Sequence, residues 1–200
     1  MTNERPKQML TPKYRVSYPY VFSPAVDKEN GKETYSIQML FDKKADLTEI
    51  KNEVRRLAVE AFGDKAKNAH FPFSDGNEKY NEDPKKYAAY KDVIAVRASS
   101  KFQPGVVDGK CVEIISPNEF YAGCYARGKV SGYAWKFMGK YGVKLNLHNL
   151  QKMNDGEALA ASGRNPADDF DAVESDDSGS VPDSGADLFS SSDKKVDFEL

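Results

Sequence analysis

Residues Tyr121–Phe137 read YAGCYARGKVSGYAWKF and have the alternating pattern of one long β-strand. Small, uncharged residues such as Ala126 and Gly128 occupy the even positions up to Lys136, whereas most odd positions hold aromatic or basic residues. Successive side chains of a strand point to opposite faces, so the even face would suit the crowded interior of a small barrel. The segment therefore predicts a barrel strand whose outer face carries rings and cations.

The same alternation predicts further strands before and after this segment. Residues 13–22 and 34–41 alternate large apolar with smaller or polar residues, and we expect them to form a hairpin. Residues 93–101 and 143–153 are two more predicted strands. The fold class predicted from these patterns is mainly β, a five-stranded antiparallel barrel with one helix and long loop insertions.

The predicted helix lies between the second and third strands. Apolar residues recur at helical spacing from Leu47 to Ala61. Asp46 and Glu49 resemble a capping box at its start, and Gly63 ends the pattern. One main helix is therefore expected.

The connecting segments are rich in turn-forming residues. Residues 64–92 form a long excursion in which only a short helix near Pro84–Tyr90 is predicted. Asp108 and Gly109 predict a turn, after which residues 111–115 are expected to return as a partner strand. Long loops of this kind commonly have a function or are disordered.

Charge divides the chain into a basic body and an acidic C-terminal tail. Residues 165–200 hold eleven of the 31 carboxylates and only two of the 29 lysine and arginine residues, although the net charge of the chain is just −2. Residues 1–164 carry a net charge near +7 and 20 of the 23 aromatic residues. We predict one domain over residues 1–164 and a disordered tail over residues 165–200, which has too few apolar residues to offset the entropy of ordering.

Aromatic residues interrupt the acidic tail at intervals. An acidic peptide with an aromatic anchor can dock in a basic pocket of a partner, or compete with a polyanion for a basic surface. The candidate tail contacts are Asp169, Phe170, Asp197, Phe198 and Glu199. The alternative is an acidic extension that only solvates the protein.

The aromatic and basic face of Tyr121–Phe137 is the candidate binding site. A single nucleic-acid strand needs cations for its phosphates and flat rings for its bases. Candidate DNA-binding residues on this face are Tyr125, Arg127, Lys129, Tyr133 and Trp135. A second, weaker group on a neighbouring strand and loop is Arg97, Lys101 and Phe102. The alternative interpretation is that these aromatic residues cover the barrel or pack beneath the helix.

The sequence gives no signature of an enzyme, a metal site or a cofactor. Phosphate-binding glycine loops and the HExxH helix are missing, and Cys111 and Cys124 lack the spacing of metal ligands. His70 and His148 are interpreted as surface or hydrogen-bonded histidines. The sequence also contains no apolar run long enough to cross a bilayer and no signal-peptide core, so no membrane partner is expected.

Several segments resemble the single-stranded-DNA-binding proteins of tailed bacteriophages over most of residues 13–170. They are Tyr18–Pro24, Phe71–Lys79, Ala98–Ser100, Pro104–Asp108, Tyr121–Gly128 and Asn149–Glu157. More distantly, Tyr133-Ala134-Trp135 is similar to the Tyr-x-Trp of podophage replication proteins, whose aromatic residues stack on bases. The chain departs from that podophage pattern because Glu199 and Leu200 follow Phe198.

The resemblance implies an oligonucleotide/oligosaccharide-binding fold (OB-fold) and a non-catalytic coat for single-stranded DNA in phage replication, recombination or repair. It implies action in the cytoplasm of an infected bacterial host, with phage or host replication and recombination proteins as partners of the tail. A homo-oligomer is left open. The alternative function is a phage interaction or structural component that binds no DNA; a nuclease lacks a credible cluster of metal-binding carboxylates.

Overall fold

The computed structural model describes residues 6–28 and 31–159, and strands dominate this part of the chain. The strands are β1 (Gln8–Leu10), β2 (Tyr14–Val26), β3 (Glu33–Asp42), β4 (Phe73–Asp75), β5 (Val93–Ser100), β6 (Gly105–Val107), β7 (Tyr125–Phe137) and β8 (Lys140–Asn154). The helices are α1 (Thr48–Phe62) and α2 (Gly76–Glu82), with 3₁₀ turns at Gly63–Asn68 and Ala88–Tyr90. None of these helices has the length and apolar character needed to span a membrane.

Five of the strands pair in a closed ring. β2 pairs with β3, β3 with β5, β7 with β8, and β7 with β2, all antiparallel, whereas β5 and β8 run parallel. Register shifts interrupt the β2–β3 and β7–β8 ladders, so the ring is not a regular barrel. The predicted mainly β fold with one main helix is confirmed, and the correction is that one of the five pairings is parallel.

The interior of the ring explains the small residues of β7. Ala126, Gly128 and Val130 face the core, and a β-carbon at Gly128 would lie 3.0 Å from Leu150 and 3.2 Å from the Tyr14 hydroxyl. A β-carbon at Gly132 would lie 2.5 Å from Leu57 of α1. Helix α1 therefore packs against a stretch of β7 that has no room for larger side chains.

Several predicted boundaries were wrong for local reasons. β7 begins at Tyr125 instead of residue 121, because residues 121–124 turn around Gly123 at a φ of 116°. Helix α1 begins at Thr48 without a capping box, since the Asp46 carboxylate accepts the Thr48 N–H two residues on. The predicted strand 111–115 is reduced to one bridge, Val107 to Glu113, because Cys111 adopts a φ of 64°.

The excursion after α1 has more structure than predicted. It contains β4, which pairs with β5, and α2, whose first turn is capped by the Asp75 carboxylate accepting the Asn77 N–H. The predicted helix near residues 84–90 is a 3₁₀ turn at Ala88–Tyr90. Tyr90 packs with Leu40 and Ala95 on the outer side of the ring. The excursion therefore covers part of the outer face of β3 and β5.

The predicted domain boundary at residues 164 and 165 lies outside the described residues, as does the acidic tail. The tail contacts proposed from sequence, Asp169, Phe170, Asp197, Phe198 and Glu199, stay predictions for the same reason.

Candidate nucleic-acid interface

A cavity of about 850 Å³ opens on the outer face of the ring, over β5, β7 and β8. We call it the Trp135 groove. Its aromatic and charged lining residues are Asp27, Lys32, His70, Phe71, Arg97, Lys101, Phe102, Tyr133, Trp135 and Lys144. Five of the eight DNA-binding candidates from the sequence, which are Arg97, Lys101, Phe102, Tyr133 and Trp135, are thus brought together in one groove.

Trp135 is held between strand β8 and the loop before β4. The His70 ring lies nearly parallel to the indole, with 6.2 Å between centroids and 22° between planes. The ammonium of Lys144 lies 4.7 Å from the centre of the indole ring. Such a contact attracts the cation to the ring face, so Trp135 has an aromatic and a cationic neighbour before any ligand arrives.

Gly142 allows the loop to approach Trp135. It pairs with Trp135 across the β7–β8 hairpin and forms a bridge with His70. The His70 N–H donates to the Tyr141 carbonyl at 3.0 Å, and the Val143 N–H donates to the His70 carbonyl at 2.9 Å. A β-carbon at Gly142 would lie 2.3 Å from the His70 carbonyl oxygen, so any side chain there would push the loop away.

Tyr133 provides the more open ring of the pair. Its side chain lies opposite Lys144 in the β7–β8 register and is 39% exposed. Partial burial raises the pKa of the Tyr133 hydroxyl above its ordinary value. The hydroxyl therefore stays neutral at physiological pH and adds no negative charge beside a phosphate.

The second group of candidates forms the opposite side of the groove. Arg97 is exposed on β5, and its backbone N–H donates to the Pro72 carbonyl at 3.1 Å. Phe102 is 81% exposed, and its backbone N–H donates to the Ser100 hydroxyl at 3.0 Å, which fixes the turn after β5. Lys101 lies between them in sequence. These residues place one cation on β5 and a cation and an open ring just beyond its end.

The charge of the groove is predominantly positive. Four of its lining side chains are cationic, Lys32, Arg97, Lys101 and Lys144, against the single carboxylate of Asp27. Cations beside flat rings bind a chain of phosphates and bases without reading its sequence.

The sequence also matches a protein family. The family described as "Enterobacter phage Enc34, ssDNA-binding protein" matches residues 7–180. The chain belongs to this family. No curated protein matches the chain. The Enc34 family is one of binding proteins, which agrees with the prediction that the chain is not an enzyme.

Solved structures share the fold of this member of the Enc34 family. The single-stranded DNA-binding protein from bacteriophage Enc34 in complex with ssDNA has a TM-score of 0.66 and 21% identity, covering 76% of this chain and 89% of that one. A further structure of the single-stranded DNA-binding protein from bacteriophage Enc34 has a TM-score of 0.62 and 20% identity, covering 82% of this chain and 90% of that one. The gp2.5 protein of bacteriophage T7, also a single-stranded DNA-binding protein, has a TM-score of 0.58 and 14% identity, covering 80% and 98%. The OB-like fold predicted from sequence is therefore confirmed.

Three of the DNA-binding residues predicted for this Enc34 family member lie on β7 but outside the Trp135 groove. Tyr125 is half-buried with the Lys13 ammonium 5.4 Å from its ring, and Lys129 is exposed next to the end of β1. The Arg127 guanidinium donates to the Gln151 amide oxygen at 2.8 Å. All three remain candidates for a longer binding surface, separate from the groove itself.

Five aromatic or charged groove residues were not among the sequence candidates: Asp27, Lys32, His70, Phe71 and Lys144. Lys144 lies opposite Tyr133 because β7 and β8 are joined by a two-residue turn at Met138–Gly139, and a two-residue loop ending in glycine was the sequence signal for this pairing. His70 is exposed, as interpreted from the sequence, and its ring also stacks on Trp135, which the sequence did not predict. Its position depends on a bridge between a distant loop and Gly142, for which the local sequence has no signal.

Proposed function

We propose that the chain binds single-stranded DNA in the Trp135 groove and coats it during phage DNA replication, recombination or repair. The observation that carries the proposal is the placement of Tyr133 and Trp135 beside Arg97, Lys101 and Lys144. Membership of the Enc34 family and its fold support the same function. The protein would act in the cytoplasm of the infected bacterium.

The binding energy would come from two sources. Each base stacked on an aromatic ring contributes about 1–3 kcal/mol, and it does so for any base. Each phosphate neutralised by a lysine or arginine releases counterions and contributes about −0.7 to the slope of log affinity against log salt. Binding should therefore be sequence-tolerant and weaken steeply with salt.

Lys144 would have a double role in this mechanism. Its ammonium lies over the Trp135 ring. A base that stacks on this ring would take the place of the ammonium, and the flexible lysine stem lets the charge move to the neighbouring phosphate. The ring would thus be protected from water until the strand arrives.

The acidic tail would regulate this binding. Residues 165–200 carry eleven carboxylates and could occupy the same cations that bind phosphate, or recruit replication and recombination proteins. The tail contacts Asp169, Phe170, Asp197, Phe198 and Glu199 belong to this part of the proposal. The charge and composition of residues 165–200 support this part of the proposal.

Fluorescence of Trp135 provides the direct experiment, because it is the only tryptophan of the chain. We expect a thymidine oligonucleotide to quench the emission, a duplex of the same length to quench it much less, and added salt to weaken the effect. If neither DNA changes the signal and a labelled oligonucleotide is not bound at low salt, the proposal is wrong and a protein-interaction component without DNA binding becomes the better interpretation.

A further inference from the structure

A second cavity, of about 620 Å³, lies on the outer face of β2. We call it the Tyr20 pocket. Its walls come from β2, the Ala88–Tyr90 turn with the residues before it, and the last described residues of the chain. The aromatic and charged residues that line it are Arg15, Tyr18, Tyr20, Lys85, Lys86, Tyr87, Tyr90 and Glu157.

The walls of the pocket are well anchored. The Tyr90 hydroxyl and the Ser17 hydroxyl are 3.0 Å apart in a buried hydrogen bond between the excursion and β2. The ammonium of Lys79 lies within 5.7 Å of the Tyr18, Tyr87 and Tyr90 ring centres. These contacts fix the tyrosine cluster against the ring of strands.

Two rings of the pocket are exposed. Tyr20 is 44% exposed and Tyr18 is 39% exposed. Tyr18 has a φ of 45°, which is uncommon for a bulky residue, and lies where the β2–β3 register is interrupted. The irregular backbone of β2 thus presents side chains that a regular strand would place differently.

The charge of the pocket is positive. Lys85 and Lys86 are exposed at its edge, and the Lys86 ammonium lies 5.2 Å from the Tyr87 ring centre. Arg15 donates to the Glu157 carbonyl at 2.9 Å and lies 3.9 Å from the Glu157 carboxylate, the one acidic group of the lining. After Arg15 is paired, two lysines and the open rings remain for a ligand.

Strand register places the Tyr20 pocket beside the Trp135 groove. Directly opposite residues of paired strands point to the same face. Ser17 pairs with Gln38, and Gln38 pairs with Arg97. Ser17 lines the pocket and Arg97 lines the groove.

A second row repeats this relationship. Tyr20 of the pocket pairs with Ser36, which pairs with Ser99 of the groove. Neighbouring strands lie about 4.8 Å apart, so each row spans about 10 Å from β2 to β5. The two cavities therefore lie on one face, on either side of β3, with the partly exposed Gln38 and the buried Ser36 between them.

We propose that the Tyr20 pocket is a second contact site for the single-stranded nucleic acid bound in the Trp135 groove. This inference rests on the proposed function. The strand would leave the groove at Arg97 and Ser99, cross β3, and place a base against Tyr20 or Tyr18 and a phosphate near Lys85 and Lys86. An acidic peptide would use the same lysines, but only a continuous strand accounts for two basic, aromatic cavities joined by two rows of one sheet face.

The test compares oligonucleotides of two lengths on the full-length chain. Oligothymidines of about 4 and about 16 nucleotides bracket the range that one OB-fold covers. The variant carries Tyr20→Ala, Lys85→Ala and Lys86→Ala together. A matched control carries Lys65→Ala and Lys67→Ala, two exposed lysines outside both cavities, and removes the same charge.

We expect the pocket variant to bind the short strand as the wild type does and to bind the long strand at least about tenfold more weakly, the loss of one stacked base. The control should bind both strands as the wild type does. A pocket variant that binds both lengths normally, or loses both equally, would overturn the inference. Lys85→Glu with Lys86→Glu, which changes only exposed side chains, gives the same comparison if the triple variant unfolds.

The failure of the proposed function has a different signature. If the wild-type chain binds neither strand and Trp135 emission is unchanged, single-strand binding itself is wrong and the second contact site falls with it. A third set of results would make the Tyr20 pocket a peptide site instead. In that case the wild type and the pocket variant bind both strands equally well, and a labelled Asp168–Asp171 peptide (DDFD) binds the wild type but not the variant.

Discussion

The ring of His70 stacks beside Trp135, at 6.2 Å between centroids and 22° between planes, although 65 positions separate them in the chain. A stacked aromatic neighbour is worth about 0.5–1.5 kcal/mol and limits the motion of the indole. His70→Ala should therefore weaken binding of an oligothymidine by a few fold and reduce the near-ultraviolet circular dichroism of Trp135. His70→Phe, which keeps a flat ring, is the matched control and should restore both signals. Equal affinity for all three proteins would remove His70 from the interface.

Removing both groove rings should abolish most of the binding. The Tyr133→Ala, Trp135→Ala protein loses two stacking surfaces, each worth about 1–3 kcal/mol, so affinity for an oligothymidine should fall by more than about thirtyfold. Phe137→Ala is the control, because Phe137 is 69% exposed on the same face of β7 but does not line the groove. Fluorescence anisotropy of a labelled strand measures the effect, and thermal unfolding checks that each protein is folded. An unchanged affinity in the double variant would contradict the stacking assignment.

The groove cations should control the salt dependence. Each of Arg97→Ala, Lys101→Ala and Lys144→Ala should make the slope of log affinity against log salt shallower by about 0.7, since each removes one phosphate contact. Slopes measured at four or more salt concentrations separate this effect from a general loss of fold. A slope identical to that of the wild type in all three variants would place the phosphates elsewhere.

Lys129 tests whether the interface extends along β7 beyond the groove. Lys129→Ala removes an exposed charge without a packing change, whereas Arg127→Ala also breaks the hydrogen bond to Gln151. If the predicted surface is continuous, Lys129→Ala should reduce the salt slope by about 0.7 for a long strand and leave a short strand unaffected. An unchanged salt slope for both strand lengths would exclude Lys129 from the interface.

Deletion of residues 165–200 should tighten binding of single-stranded DNA. The deletion removes eleven carboxylates, which in the proposed function compete with DNA for the same cations, so the gain should be largest at low salt and shrink as salt screens the charges. The comparison uses the full-length and shortened chains with the same oligothymidine. Equal affinities at low salt would show that the tail does not compete with DNA.

Acid should destabilise the protein partly through Glu53 of α1. The Arg56 guanidinium donates to the Glu53 carboxylate at 2.8 and 2.9 Å and holds the pKa of that buried carboxyl below its ordinary value. A carboxyl with a depressed folded-state pKa stabilises the fold fully above its unfolded-state value, about 4.3, and loses this contribution as pH falls through the folded-state pKa. Because Arg56 is exposed, we expect Glu53→Gln to cost only about 0.5–1 kcal/mol at pH 7. The difference from the wild type in thermal unfolding should disappear towards pH 3.

The sequence predicted those parts of the interface that depend on local alternation. Tyr133 and Trp135 project from the outer face of β7 because a period of two holds there. It did not predict the His70 ring beside Trp135, which depends on a loop approaching Gly142 from more than 70 positions away. Alternation also could not separate Arg127 from the groove residues, because position along a curved strand decides which cavity a side chain reaches.

The same limit applies to the excursion over residues 64–92. Its turn-forming residues correctly predicted a long connection, but β4 and α2 form against β5, and that packing is not encoded in a local period. The Tyr20 pocket arises from this packing, together with the irregular stretch of β2. Both cavities thus depend on contacts between segments that are far apart in sequence.

The parallel pairing of β5 and β8 has a mechanical consequence. Only Ala98–Leu145 and Ser99–Asn146 join these two strands, so this is a short seam in the ring. Ser99 and Asn146 also line the Trp135 groove. A DNA strand bound there would contact both β5 and β8, and its binding energy would stabilise the closed ring against separation of these two strands. Occupied protein should therefore melt at a higher temperature than free protein, and amide hydrogens along the seam should exchange more slowly when DNA is bound.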